Sequence, residues 1–182
     1  VHRYSALLDE KLQEYLLQGL KTRTPAHLYL IPKLHKMRNL AGSIIGRPIA
    51  ACHSWVTTNL SKWLADKLNA ALLKHTDTVL LDRLQFVREL DGMTVSKNAW
   101  LLTFDVESLY PNVEHQGCIY ACASAVAGTP MEKLLVEDCM HVVLENNIVC
   151  VRGKYYKQIF GGAMGTNCMP PAAQLYLAIM WE

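Results

Sequence analysis

Asp105 sits near the end of the apolar run WLLTFDV (residues 100–106), and five positions later Tyr110 stands on a turn closed by Pro111 and Asn112. Asp is depleted in strands and costly to bury unpaired, so this placement asks for a reason. The run is too short and too continuously apolar for an amphipathic helix and reads as a buried strand. A carboxylate at the end of such a strand, beside a turn, can reach a cavity while its backbone stays fixed. A hard cation such as magnesium requires that of a ligand. The Val106 carbonyl could add a second oxygen. The alternative is an Asx-type turn, in which Asp105 or Asn112 bonds local backbone amides. Glu107 would share the Asp105 face if the strand continued, and otherwise belongs to a solvated edge.

Two further groups could do chemistry. GGAMGT (161–166) lacks the terminal Lys of a phosphate-cradling loop and the spacing of a dinucleotide fingerprint. With Gln158 before it and Pro170 and Ala173 after it, its glycines would let backbone approach a flat base. A tight connection between hairpin and helix is the alternative. Lys33, Lys36 and Arg47 could clamp a triphosphate, Arg bidentately and Lys as a point charge. They could equally be edge-strand cations that oppose aggregation. Tyr110 could be core, and Met164 and Cys168 read as packing residues. Cys118 and Cys122 could share one helical face as half a metal site, but no nearby His or Cys pair completes it.

The elements that must position these residues follow from periodicity and punctuation. Helices are expected over 5–20, over 54–74 with Ser54 as cap, over 77–90 ending at Asp91-Gly92, and over about 114–127 with Gly128 as breaker. Thr129, Pro130 and Glu132 form a capping box that opens another. HLYLIPKLHK (27–36) and GRPIA (46–50), joined through a turn at Gly42–Gly46, predict a hairpin with prolines on exposed edges. This segment also carries Arg38 and two histidines, making it a dense basic patch. IVCVRGKYYKQI (148–159) predicts a second hairpin around Arg152-Gly153, and a last helix starts near Pro171. Order and composition predict an α+β fold with no internal repeat.

The chain has 182 residues, 51% of them hydrophobic, enough for one domain or two small lobes and too apolar for disorder. Its formal net charge of +2 means that nucleic-acid affinity would have to come from local clustering. No apolar stretch approaches the roughly 20 residues that span a bilayer, and no leader opens the sequence. A soluble, intracellular protein without a disulfide framework is expected, in nucleus or cytoplasm alike. Val1 at the start and an amphipathic run reaching Glu182 suggest a piece of a longer polypeptide.

Taken in order, LIPKLHK, GRPI, LTFDVESLY and YYKQIFGGAMGTNCMPPAAQLYL resemble the consecutive motifs of reverse transcriptases. The wording is closest to Penelope-like retroelements, retrotransposons related to telomerase. The resemblance covers about 27–182, and the ordered set is far more specific than any member of it. It implies an N-terminal fragment of a right-hand polymerase, with fingers and the first half of the palm built on an antiparallel sheet with packed helices. The implied division is a helical lead-in over 1–26, fingers over 27–98, and the N-terminal part of the palm with intervening fingers helices over 99–182.

The same resemblance assigns roles. Asp105 becomes the first catalytic carboxylate and a metal ligand, with the Val106 carbonyl as a further ligand. Lys33 and Arg47 become the fingers cations that meet the incoming triphosphate. Tyr110 matches the bulky gate that blocks a ribose 2′-hydroxyl. Gln158, Met164 and Gly165 join the nucleotide-binding set, while Gly161 and Pro170 help position template and primer. Thr166 stands where the family usually has Ser, Gln174 where it has Asn, and Asn167, Cys168 and Met169 replace small or apolar residues. None of these departures removes an implied metal ligand or phosphate contact.

The implied activity is RNA-directed DNA polymerisation, adding deoxynucleotides to a DNA primer on an RNA template with two magnesium ions. The further carboxylates would come from a Tyr-x-Asp-Asp-type hairpin, and no Asp follows Asp138 in this sequence. The two-metal site is therefore expected to be incomplete, and the chain alone inactive. A non-catalytic nucleic-acid-binding module derived from a retroelement is the competing expectation. An RNA-templated RNA polymerase is disfavoured by Tyr110 and by the Gln158 to Pro170 pattern.

Overall fold

In the computed structural model, the structure describes residues 2–21, 23–33, 46–74, 79–80 and 82–180. Lys36, Arg38 and most of the expected turn at Gly42–Gly46 lie outside them. The described residues form an α+β fold with seven α-helices and one four-stranded sheet.

After a 3₁₀ turn at His2–Leu7, helix α1 (Glu10–Gly19) is capped by Asp9, whose carboxylate accepts from the Leu12 amide. Helix α2 (Thr58–Leu72) begins four residues later than its apolar period suggested. Ser54 does not cap it, because Cys52–Ser54 forms its own 3₁₀ turn. That turn is held instead by the Thr58 hydroxyl, which donates to the Cys52 carbonyl at 2.8 Å and accepts from the Trp55 amide at 2.9 Å. Helix α3 (Arg83–Leu90) is shorter than the expected 77–90 because Asp82 caps it, accepting from the Leu84 and Gln85 amides. Residues 77, 78 and 81 of that expectation lie outside the described residues.

A single helical turn, α4 (Leu109–Asn112), precedes α5 (His115–Ala125) and α6 (Pro130–Glu145). The capping box of α6 is present, with Thr129 and Glu132 satisfying each other's amides. The last helix, α7 (Met169–Met180), packs on α5 and α2. Leu64 and Leu68 of α2, Ile119 of α5, Met140 and Leu144 of α6, and Leu175 of α7 are fully buried in the resulting core. Burial of each such side chain stabilises the fold by about 1.5–3 kcal/mol.

Strands β1 (Ala26–Pro32) and β2 (Gly46–Ala50) form the first hairpin, and β3 (Ile148–Val151) and β4 (Lys154–Lys157) the second. Pro32 ends β1 and Pro48 lies in edge strand β2, where a missing amide costs no inner ladder bond. The sheet order is β2-β1-β3-β4, and it corrects one expectation. The sheet is mixed, because β1 and β3 pair in parallel, Ala26 opposite Val149 and His27 opposite Cys150. The long passage through the helices between them supplies the crossover that a parallel pair needs.

Residues 100–106 overturn a second expectation. They form no strand, and Trp100, Leu101 and Phe104 are 89%, 90% and 88% exposed. A continuous apolar run becomes a buried strand only if a neighbour takes its backbone hydrogen bonds and covers its side chains. None of the four strands pairs with it. Asp105 therefore stands on exposed, irregular backbone.

Candidate functional site

The glycine loop between β4 and α7 is the centre of the site, and it is fastened by backbone and side-chain contacts that sequence distance hides. The Ala50 amide, at the end of β2, donates to the Met164 carbonyl at 2.7 Å. Gly162 donates to the Tyr110 carbonyl, also at 2.7 Å. His115 Nε2 lies 2.8 Å from the Gly161 carbonyl, and its ring stacks on Phe160 with centroids 6.5 Å apart. Deeper in, the Cys168 amide donates to the Ser61 hydroxyl at 3.1 Å.

Two glycines are required by this docking. Gly161 has φ +69 and a Cβ there would overlap the Pro111 backbone; Gly165 has φ +123 and a Cβ there would overlap the Ala50 carbonyl. Both conformations are ones that L side chains rarely adopt. The loop is thus pressed between the α4 turn and the end of β2.

Beside it opens a cleft of about 660 Å³. Lys33, just past β1, and Arg47 of β2 line one side, and Asp105, Val106 and Tyr110 another. Met164, Gly165 and Pro170 form the wall from the loop and the start of α7. Eight of the ten residues to which the resemblance assigns roles therefore face one space. Gln158 does not; it lines a neighbouring cavity of about 260 Å³, which shares Met164 with the cleft, and its side-chain amide donates to the Phe160 carbonyl at 2.9 Å. Gly161 lies against Pro111, outside both linings.

Tyr110 is half-buried and packs against the core, so it is both a cleft wall and a support. The α4 turn is closed by Asn112, whose Nδ2 donates to the Ser108 carbonyl at 3.1 Å. Asp105 makes no hydrogen bond or ion pair among the described residues, which leaves its carboxylate available to a ligand. Ser108, with φ +54, turns the chain at the cleft edge. It was not singled out by sequence, and no local signal marks it, because Gly, Asn and Asp rather than Ser are the residues that routinely adopt the left-handed region. Glu107, assigned to a solvated edge, is exposed and also lines the cleft. Met169 and Leu177 complete an apolar wall that helical periodicity alone could not aim.

The Asp105 carboxylate and Val106 carbonyl are hard oxygen donors of the type magnesium takes. Glu107 is the other carboxylate lining the cleft, and no group of three or more His, Cys, Asp or Glu side chains among the described residues could hold a metal. The donors fit in kind, and in number they fall short of a two-ion site.

The cysteines near the site are packing groups. Burial pushes the Cys168 thiol up to about 12 and raises Cys52, against the Thr166 hydroxyl that bonds its sulfur. Cys122 is raised first by its hydrogen bond to Cys118 and then by burial. None is a ready thiolate. Among the described residues no helix is long and apolar enough to cross a membrane. No family model, curated protein or solved structure matches this chain.

Proposed function

We propose that the chain is the fingers and first half of the palm of a reverse transcriptase domain, in which the Asp105 cleft receives the incoming deoxynucleoside triphosphate. The observation that carries this reading is the convergence of Lys33, Arg47, Asp105, Tyr110 and Gly165, from distant parts of the sequence, on one cleft of about 660 Å³. That volume suits a nucleotide.

In this reading Arg47 and Lys33 take the triphosphate oxygens, bidentately and as a point charge. The Tyr110 ring occupies the space a ribose 2′-hydroxyl would need and so favours deoxynucleotides. The glycine loop lets backbone approach the base, with Gln158, Met164, Gly161 and Pro170 setting the template side. Two magnesium ions, when bound, would activate the primer 3′-hydroxyl and neutralise the leaving pyrophosphate. Asp105 and Val106 would supply ligands from this chain, and carboxylates outside it the rest. Partners are then an RNA template, a DNA primer and deoxynucleoside triphosphates.

The shortage of carboxylates favours a second reading for the chain by itself, a retroelement-derived module that holds nucleic acid without copying it. Equilibrium binding of a deoxynucleoside triphosphate with magnesium tests the first reading. Arg47→Ala is expected to weaken it by about tenfold or more, since a hydrogen bond to a charged group contributes about 1.5–3 kcal/mol. Tyr110→Ala is expected to narrow the preference over the ribonucleotide. Equal affinity in wild type and Arg47→Ala would remove the cleft's assignment as a triphosphate site.

A further inference from the structure

Three helices near the N-terminal turn each present apolar side chains at helical spacing: Leu16 and Leu20 toward the end of α1, Leu60 and Trp63 on α2, and Leu135 and Val142 on α6. Such stripes ordinarily close on one another. Here α1 and α6 both pack on α2 but, among the described residues, scarcely meet each other. What remains between them is a cavity of about 520 Å³, lined by all six of these side chains. It shares no residue with the Asp105 cleft.

Hydrogen bonds fix the width of this gap. At one end Asp138 of α6 accepts from the Tyr4 hydroxyl and, at 3.1 Å, from Arg3, which ties α6 to the N-terminal turn. About 12 Å further along α6 by the helical rise, Trp55 Nε1 donates to the Asn146 carbonyl at 2.7 Å and ties α6 to the turn before α2. Asn59 Nδ2 donates to the Tyr15 carbonyl, also at 2.7 Å, and ties α2 to α1. The walls cannot close on the gap without breaking these bonds. Leu20 and Val142, 53% and 46% exposed, stand where the cavity meets solvent.

The lining has the composition of a small-molecule site, largely apolar with a few polar groups gathered in one place. Burial lifts the Cys139 thiol to about 12, so it adds neutral surface and no nucleophile. The polar place is the Arg3–Asp138 pair. Both bonds to this carboxylate fall on Oδ2, and Oδ1 has no partner among the described residues. The pair is already balanced in charge, so a charged head group would leave one charge uncompensated against an apolar wall. A hydroxyl meets both partners, donating to Oδ1 and accepting from the guanidinium. We propose that this cavity binds a neutral, mainly apolar small molecule carrying one hydroxyl, with its hydrocarbon between α1 and α6 and its hydroxyl on Asp138. The site stands on its own walls and charges, independent of the polymerase reading.

Isothermal titration calorimetry of the chain at neutral pH, with para-propylphenol, propylbenzene, para-propylbenzoate and para-propylbenzylamine as probes, tests the proposal. The phenol is expected to bind once per chain and about tenfold tighter than the hydrocarbon, the increment of a hydrogen bond to a charged group. The benzoate and the benzylamine, which carry opposite charges, are both expected to bind more weakly than the phenol. Val142→Trp, which fills the mouth from an exposed position on α6, is expected to abolish saturable binding while leaving the circular dichroism of the wild type. Asp138→Asn is expected to narrow the advantage of the phenol over the hydrocarbon to about threefold, because an uncharged hydrogen bond is about half as strong. Phe104→Ala, which removes an exposed ring outside the cavity, is expected to leave binding unchanged. Absence of saturable phenol binding by the wild type would overturn the site. So would equal phenol affinity in wild type and folded Val142→Trp, or tighter binding of either charged probe than of the phenol.

Discussion

The Gly162 amide donates to the Tyr110 carbonyl at 2.7 Å, joining the glycine loop to the short turn that follows Asp105. The same carbonyl also accepts from the Val113 amide within the turn, at a longer 3.4 Å. The shorter bond makes the position of Tyr110 depend on a loop some fifty residues further along, which is itself fastened to β2 at Ala50. Cleft shape is therefore a property of three segments held together by backbone.

Alanine at Gly161 or Gly165 tests that dependence. Each would meet a backbone carbonyl in a conformation unfavourable to L residues, so each is expected to destabilise the chain by at least about 2 kcal/mol in urea unfolding. Gly153→Ala is the control. Its φ is +77 but nothing lies within 4 Å of the added Cβ, so only the backbone penalty of about 1–2 kcal/mol is expected. Equal losses at all three positions would mean that loop docking contributes nothing.

Truncation of apolar side chains separates core from exposed run. Leu68→Ala, at a fully buried site in α2, is expected to cost about 2–5 kcal/mol. Phe104→Ala, at 88% exposure, is expected to change stability by less than about 0.5 kcal/mol. A Phe104 effect comparable to Leu68 would show that residues 100–106 are covered in solution.

Stability is expected to fall on both sides of neutrality. Glu114 is held below the ordinary carboxylate range first by the Gly117 amide and then by that of Gln116, and Glu132 likewise by Thr129. A depressed folded value contributes stability above the unfolded carboxylate range and loses it as pH drops through the folded value. Tyr4 moves the other way, from 10.0 to about 12, by burial and then by its hydrogen bond to Asp138. Its contribution is complete below the unfolded value and is lost as pH rises toward 12. Burial likewise lifts Cys139 and Cys168 from 9.0 to about 12, so the alkaline decline begins at the thiols. Thermal midpoints across pH check this, with Glu132→Gln expected to shallow the acid limb and Tyr4→Phe the alkaline one. Unchanged limbs in both variants would contradict these assignments.

What was legible in the sequence was local. The Thr129–Glu132 capping box and the Arg152-Gly153 hairpin turn are decided within a few residues, and the structure has both, whereas α5 already ends at Ala125, before the expected break at Gly128. Two caps were missed because a neighbour competed. Thr58 organises the turn that displaced Ser54, and Asp82 starts α3 late. The parallel β1–β3 pair and the exposure of residues 100–106 were not legible, since both depend on what lies alongside in space. Of the site, the family resemblance assigned roles to ten residues, and eight of them face one cleft. Gln158 and Gly161 fell outside it because their contacts are made by backbone geometry in the loop.

Primer extension on an RNA template with deoxynucleotides and magnesium is the decisive assay for a polymerase built around Asp105. It would be run on this chain, on the longest polypeptide that contains it, and on that polypeptide with Asp105→Asn. Extension is expected from the longer wild-type polypeptide, with none from its Asp105→Asn variant and none from this chain alone. Extension that survives Asp105→Asn, or its absence from the longer protein while nucleic-acid binding persists, would refute the polymerase assignment.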